Sequence, residues 1–191
     1  MKHYTRLPLF AIAALLLAAC AHESDLPRLF RVPDAALVAD SGRPLRLSEM
    51  SGYVTVYDFI FTSCAGTCPV MNDTMRRLTE RIDPAKKVRF VSISVDPERD
   101  TPEVLREYAR NLRKDDRWIF ATGGRDEIIR LSIEGFKLAA GGPPQSAAEP
   151  ILHSTKFAVA DRDGWIREYY SGTDPDAVEH LAATVDGLLR E

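Results

Sequence analysis

Two cysteines, Cys64 and Cys68, are separated by three residues and followed by Pro69. They come directly after the most apolar strand-like run of the chain, residues 53–61, which predicts that they lie between a buried strand and a helix. Proline suits the first turn of a helix, and a cysteine at a helix N-terminus is expected to have a lowered pKa. Three intervening residues allow the two sulfurs to form a disulfide or to share one soft metal ion. The pair therefore predicts either thiol–disulfide chemistry or a metal site.

The number of available ligands favours copper over zinc. A structural zinc site takes four protein ligands, and the chain has no second Cys-x-x-Cys and no Cys-x-x-His. Cu(I) is soft, prefers thiolates and accepts two or three ligands. His153 could supply a third ligand if its strand neighbours the strand before the cysteines. The alternative for His153 is a strand residue bonded to backbone. Weaker candidates, by their positions at the N-terminus, in a polar segment and in the last helix, are His3, His22 and His180.

Asp58 keeps the redox interpretation open. It lies in the apolar strand, six residues before Cys64. A buried carboxyl group has a raised pKa and could accept the proton of a thiol during disulfide exchange. Alternatively, Asp58 points to the edge of the strand or bonds to a neighbouring helix.

Four other residues near the pair have simpler structural interpretations. Met71 and Met75 carry soft sulfur atoms, but their helical spacing on an apolar face is typical of core residues. Asp96 and Asp100 could attract a cation or a partner. We favour a role in the turn for Asp96 and a helix-capping role for Asp100.

The first 19 residues have the pattern of a signal peptide. Lys2 and Arg6 precede an apolar run over 7–19 that is interrupted only by Pro8 and is too short to span a bilayer. The run ends in Leu-Ala-Ala-Cys20, which resembles a bacterial lipobox. This implies cleavage before Cys20, a lipid on its sulfur and anchoring at the periplasmic face of a membrane. A plain signal peptide with an unrelated cysteine is the alternative. With Cys20 lipidated, Cys64 and Cys68 are the remaining thiols, in a compartment where disulfides persist.

The rest of the chain predicts one α/β domain. With 191 residues, 45% of them hydrophobic and 28% charged, the composition excludes a disordered or collagen-like chain. A net charge of −3, or −5 once Lys2 and Arg6 are removed, provides no basic surface for nucleic acid. We predict a tether over 20–32 and a folded domain over 33–191. Strand-like and helical segments alternate, and Asp163-Gly164 predicts a hairpin. Predicted strands are 53–61, 88–95, 117–122, 153–161 and 165–170, and predicted helices start near 69, 101, 125 and 174.

Three motifs of the chain resemble those of the Sco/SenC family, in the same order and at similar distances. They are Phe61-Thr62-Ser63-Cys64 with Cys68-Pro69, Ser94-Val95-Asp96-Pro97-Glu98-Arg99-Asp100-Thr101-Pro102, and His153-Ser154-Thr155. The resemblance runs from about Pro33 to the end. It implies a thioredoxin-like α/β sandwich with a mixed central sheet and a C-terminal β-hairpin plus helix. It also implies binding of Cu(I) or Cu(II) by Cys64, Cys68 and His153.

The role implied by the resemblance is assembly of the dinuclear copper centre of cytochrome c oxidase, by delivering copper to the receiving oxidase subunit or by reducing its thiols. The alternative is an extracytoplasmic thiol–disulfide oxidoreductase acting on partner cysteines through Cys64 and Cys68, with Asp58 as proton acceptor. The chain departs from the family at two points. Ala65 stands where many members have proline, and lipidation at Cys20 would replace the transmembrane helix of many relatives.

Overall fold

The computed structural model describes residues 26–140, 151 and 153–191. The predicted signal peptide and Cys20 lie outside the described residues. The strands are β1 (Phe30–Arg31), β2 (Ala36–Ala39), β3 (Pro44–Arg46), β4 (Val54–Ile60), β5 (Val88–Ser94), β6 (Trp118–Thr122), β7 (Lys156–Ala160) and β8 (Trp165–Ser171). The helices are α1 (Cys68–Arg81), α2 (Pro102–Arg110), α3 (Arg125–Arg130) and α4 (Ala177–Arg190). A 3₁₀ turn covers Leu47–Met50, and a π-helical turn covers Leu131–Gly135.

These strands form a mixed sheet in the order β1-β8-β7-β4-β5-β6-β2-β3. The central strands β4, β5 and β6 are parallel, and α1 and α2 connect them. Right-handed crossovers in the same direction place both helices on one face of the sheet. All seven residues of β4 are buried, which explains why its sequence is almost continuously apolar rather than alternating. The cysteine turn follows the carboxyl end of this strand.

The two faces of β4 meet different partners. Tyr57 and Phe59 pack edge-on against Phe136, with ring centroids 5.0 and 5.3 Å away. Successive side chains of a strand point to opposite faces. Asp58 therefore points to the other face, the one covered by α1 and α2.

On the other side of β4, β7 runs antiparallel, with Thr55 opposite Ala160 and Tyr57 opposite Ala158. The start of β7 therefore lies near the carboxyl end of β4. His153, three residues before β7, comes close to the cysteine turn. The strand that follows His153 therefore neighbours the strand before the cysteines, as a third ligand from His153 would require. Gly164, at φ +79°, turns the chain from β7 into β8, as Asp163-Gly164 predicts.

The α/β architecture with a mixed sheet, a C-terminal hairpin and a final helix is confirmed. Two bounds differ: β7 begins at Lys156 rather than at 153, and α4 begins at Ala177 rather than near 174. β1 lies inside the predicted tether, where Phe30 and Arg31 pair with β8. This pairing depends on a strand more than 130 residues away, which local composition does not reveal. No helix among the described residues is long and apolar enough to cross a membrane.

Candidate metal centre

Cys64, Cys68 and His153 converge at the carboxyl end of β4. One ligand atom from each lies within 4.8 Å of the others. The exposed fractions of the three residues are 7%, 0% and 7%. Among the described residues, no other group of three or more His, Cys, Asp and Glu side chains is close enough to hold a metal ion. The two cysteines are free thiols. The arrangement offers two sulfurs and one imidazole nitrogen to a soft ion.

Cys68 is the first residue of α1, and Pro69 is the second. The Thr67 carbonyl accepts from the backbone N–H groups of Val70 and Met71, both at 3.1 Å, and so closes the first turn. The helix thus begins within one residue of its predicted start. This start fixes the backbone of Cys68 on a regular element.

His153 is oriented by the carbonyl oxygen of Ile151. Its Nδ1 lies 3.2 Å from this oxygen, which can only accept a hydrogen bond, so Nδ1 carries the proton. In the neutral ring Nε2 then carries the lone pair, which faces Cys68 Sγ at 3.4 Å. The ring also meets Phe61 edge-on at 5.0 Å, and the backbone pairs with Ala140. One nitrogen bonds the backbone, as the alternative interpretation expects, and the other faces the thiol. The role of His153 as a metal ligand stays a prediction.

The expected lowering of the cysteine pKa values is wrong for Cys68. Burial raises the pKa of the Cys68 thiol well above its usual value, and the nearby Cys64 adds to this effect, while the backbone of Phe61 opposes it. Desolvation therefore outweighs the helix N-terminus at this position. Without a cation, Cys68 is a neutral thiol.

Asp58 lies in the layer between the sheet and the two helices and is fully buried. Its Oδ1 accepts a hydrogen bond of 2.6 Å from Ser92 Oγ on β5, and Trp118 Nε1 donates to the same Oγ at 2.9 Å. Burial raises the pKa of Asp58 to about 7, although the bond from Ser92 acts in the opposite direction. Its partner is therefore the neighbouring strand, not a helix or the strand edge. Whether it takes a thiol proton stays a prediction.

Asp100 has a role that its position in the sequence does not reveal. Thr101, not Asp100, caps α2, since its hydroxyl accepts from the Val104 N–H at 3.4 Å. The Asp100 carboxylate instead binds Thr62, at the start of the cysteine turn, through the backbone N–H at 3.0 Å and the hydroxyl at 2.5 Å. Asp96 fits its predicted turn role: its carbonyl accepts from the backbone N–H groups of Arg99 and Asp100.

The remaining candidates are core residues, lie on another helix or fall outside the described residues. Met71 and Met75 are fully buried core residues, as predicted. His180 is on α4 and stacks on Tyr170, with ring centroids 5.9 Å apart. His3, His22 and Cys20 fall in the part of the chain that the structure does not describe.

Comparison with known proteins agrees with this geometry. The SCO1/SenC family model matches residues 32–190. A putative copper-binding protein of Stutzerimonas stutzeri is 31% identical over 149 residues, which cover 74% of this chain and 70% of that protein. A SCO1/SenC family lipoprotein from Bacillus anthracis strain Ames superimposes with a TM-score of 0.74 at 28% identity, over 83% of this chain and 95% of that one.

A second solved structure is that of BsSco, a member of the Sco family of cytochrome c oxidase assembly proteins in which a disulfide switch was identified. It superimposes with a TM-score of 0.71 at 27% identity, over 85% of this chain and 95% of that one. The residues matched by the family model include both cysteines and the histidine.

Proposed function

The chain belongs to the SCO1/SenC family, and we propose that it binds one copper ion through Cys64, Cys68 and His153 and delivers it during assembly of the dinuclear copper centre of cytochrome c oxidase. The convergence of two thiols and one imidazole within 4.8 Å carries this proposal. Copper is the metal that accepts this small, sulfur-rich ligand set most readily. The receiving partner is a copper-accepting oxidase subunit or another copper protein.

The local electrostatics describe what binding requires. A copper ion needs thiolates, so binding at Cys68 releases the proton that burial holds on its sulfur. The Ile151 carbonyl oxygen bonds Nδ1 of His153, which leaves Nε2 as the nitrogen that faces the site. The site therefore binds copper in exchange for the Cys68 proton and with little rearrangement of the imidazole.

We place the protein at the periplasmic face of a membrane, anchored by a lipid on Cys20. The lipobox-like end of the apolar N-terminal run supports this, and the related protein of Bacillus anthracis is a lipoprotein. Labelling cells with a radioactive fatty acid tests the anchor. Wild-type protein should take up the label and a Cys20→Ser variant should not. Equal labelling of the two would remove the proposed anchor.

A competition titration tests copper binding. The reduced protein, mixed with Cu(I) and a chelator of moderate affinity, should retain one copper ion per chain. His153→Ala should lower the affinity by at least about 10-fold, because even the loss of a residue that only supports a metal ligand typically costs this much. His180→Ala is the matched control, because His180 is exposed on α4 and far along the chain from the site. Failure of the wild type to retain copper would overturn the proposal.

Thiol–disulfide exchange is the second candidate function, and the buried Asp58 favours it. In this reaction one thiolate attacks a partner disulfide, forms a mixed disulfide and releases one partner thiol. The second cysteine then attacks, so the partner leaves as a dithiol and this protein keeps the disulfide. We assign the attack to Cys64, since it is 7% exposed and Cys68 is fully buried.

Trapping experiments separate this function from copper delivery. If Cys64 attacks, a Cys68→Ser variant should accumulate mixed disulfides with partner proteins and a Cys64→Ser variant should not. Absence of any mixed disulfide in both variants would remove the second candidate. That outcome would leave the copper titration unaffected.

A further inference from the structure

The turn that carries Cys64, residues 62–67, is attached to the fold at both ends. At its far end Cys68 begins α1. At its near end Thr62 is bound by Asp100, whose Oδ2 accepts from the Thr62 backbone N–H at 3.0 Å and whose Oδ1 accepts from the Thr62 hydroxyl at 2.5 Å. The two residues are 38 positions apart in the sequence.

Asp100 is itself held firmly. It is fully buried, and its Oδ2 also accepts a hydrogen bond of 2.5 Å from Ser94 Oγ at the end of β5. Ser94 pairs with Ile60, the last residue of β4, so the bond joins Asp100 to the sheet edge from which the cysteine turn leaves. Hydrogen bonds to a carboxylate are roughly twice as strong as those between neutral groups. Asp100 therefore ties Thr62 to a rigid part of the sheet.

The three proposed copper ligands differ in how they are held. Cys68 is part of a helix, and His153 is fixed by the Ile151 carbonyl and the Phe61 ring. Cys64 lies in the turn itself, where its backbone N–H bonds the Phe61 carbonyl at 3.2 Å. Its position therefore depends on the attachment of Thr62, two residues before it.

We propose that Asp100 is a positioning residue for the copper site, holding Thr62 so that the Cys64 sulfur stays within ligand distance of Cys68 and His153. This rests on the proposed function, because it assumes that copper binds to these three residues. It assigns to the second aspartate of the Asp-Pro-Glu-Arg-Asp segment, Asp100, a role in the site rather than in the helix that follows. The helix has its own cap in Thr101.

An Asp100→Asn variant tests the proposal with little change of shape. An amide has one oxygen that accepts and one nitrogen that donates, so at least one of the donors from Thr62 and Ser94 loses its acceptor. Copper affinity should fall by about 10- to 100-fold, the usual cost of removing a partner outside the ligands themselves. The thiolate-to-Cu(II) absorption band should also shift, since it reports the position of the sulfurs.

Changes at Thr62 provide a second and milder test. Thr62→Val keeps the shape and the backbone N–H but removes the hydroxyl donor, and it should weaken copper binding in the same direction as Asp100→Asn. Thr62→Ser keeps the hydroxyl and should retain wild-type affinity. Thr101→Ala is the matched control: it removes the cap of α2 and lowers stability, but it should leave copper affinity and the absorption band unchanged.

A metal-free measurement separates failure of this proposal from failure of the proposed function. Loosening Cys64 lowers the effective concentration of its sulfur at Cys68. At a fixed ratio of oxidised to reduced dithiothreitol, the variants should therefore contain less of the Cys64–Cys68 disulfide than the wild type. This comparison applies even if the wild type retains no copper.

The proposal is overturned if folded Asp100→Asn has the copper affinity, absorption band and disulfide fraction of the wild type. If that variant does not fold, Thr62→Val decides. Equal values for Thr62→Val and Thr62→Ser in all three measurements would then exclude a positioning role for the Asp100–Thr62 contact.

Discussion

Cys68 enters the candidate metal centre as a thiol, because burial raises its pKa and the lone pair of His153 Nε2 lies 3.4 Å from its sulfur. Copper must therefore displace protons in order to bind. We expect the apparent Cu(I) affinity to increase by about tenfold per pH unit for each proton released. Chelator competition between about pH 6 and pH 8, with a chelator of known pH dependence, measures this slope. An affinity that is constant over this range would contradict it.

Asp58 should make the stability of the fold depend on pH. Its pKa is about 7 in the folded protein, and an aspartate in an unfolded chain titrates near 4. Between these values the folded state keeps a proton that the unfolded state releases. Stability is therefore highest below the unfolded pKa and falls as the pH rises towards the folded pKa, by up to about 4 kcal/mol.

An Asp58→Asn variant isolates this contribution, because an amide is isosteric and does not titrate. Urea unfolding at about pH 5 and pH 7 should show a smaller loss of stability for the variant than for the wild type. Acids whose pKa is lowered by ion pairs, such as Asp34 and Glu80, contribute equally to the pH dependence of stability in both proteins. Their contributions cancel when the two proteins are compared. The same pH dependence in both proteins would mean that Asp58 is not the responsible group.

At the scale of elements, α1 is fixed at its C-terminal end by Arg117. This buried guanidinium donates to the carbonyl oxygens of Ile82 and Thr79, both at 2.9 Å, and pairs with Asp115 at 2.8 Å. It satisfies carbonyls that a helix end leaves without partners. An Arg117→Met change should lower the free energy of unfolding by about 2–4 kcal/mol, because these carbonyls stay buried.

Urea unfolding of the Arg117→Met variant measures the loss. Copper affinity of the folded variant should stay within about twofold of the wild type, since α1 has 14 residues and its two ends are roughly 20 Å apart. Arg110→Ala is the control: Arg110 is exposed on α2 and, among the described residues, pairs with Glu107 alone, so its loss should cost less than about 0.5 kcal/mol. If Arg117→Met lowered the free energy of unfolding as little as Arg110→Ala, Arg117 would not be what fixes the C-terminal end of α1.

The elements around the site could be predicted from the sequence to different degrees. β4 and the start of α1 follow from the apolar run and from Pro69, because these signals are local. The approach of His153 could be predicted only on the condition that its strand neighbours β4. The Asp100–Thr62 bond could not be predicted, since it forms only when the ends of β4 and β5 are aligned. The pairing of β1 with β8 escapes prediction for the same reason.

Across the whole molecule, the candidate site and the N-terminal segment lie at opposite ends of β8. The site lies near Lys156 and Ser171, where β7 and β8 pair at one end. β1 pairs with the other end of β8, with Arg31 opposite Trp165. The seven residues of β8 separate these ends by roughly 20 Å. The lipid anchor proposed above would precede this N-terminal segment, which meets β8 at the end away from the candidate metal centre.

Arg167 on β8 holds both ends of the described chain against this part of the sheet. Its guanidinium is almost fully buried and donates to the carbonyls of Leu26 and Pro27, to Asp161 at 3.0 Å and to Glu191 at 2.8 Å. An Arg167→Met variant leaves the buried Asp161 carboxylate without this cation, which should cost about 3–5 kcal/mol of unfolding free energy.

Hydrogen exchange locates the effect of this variant. Amides near residues 26–31 should lose protection more than those of β4 and β5, since the N-terminal segment depends directly on the guanidinium whereas the central strands do not. Copper affinity of the folded variant should be unchanged, because Arg167 lies towards the end of β8 away from the cysteines. Uniform loss of protection across the sheet would instead mean that Arg167 supports the whole fold and not the attachment of its N-terminal segment.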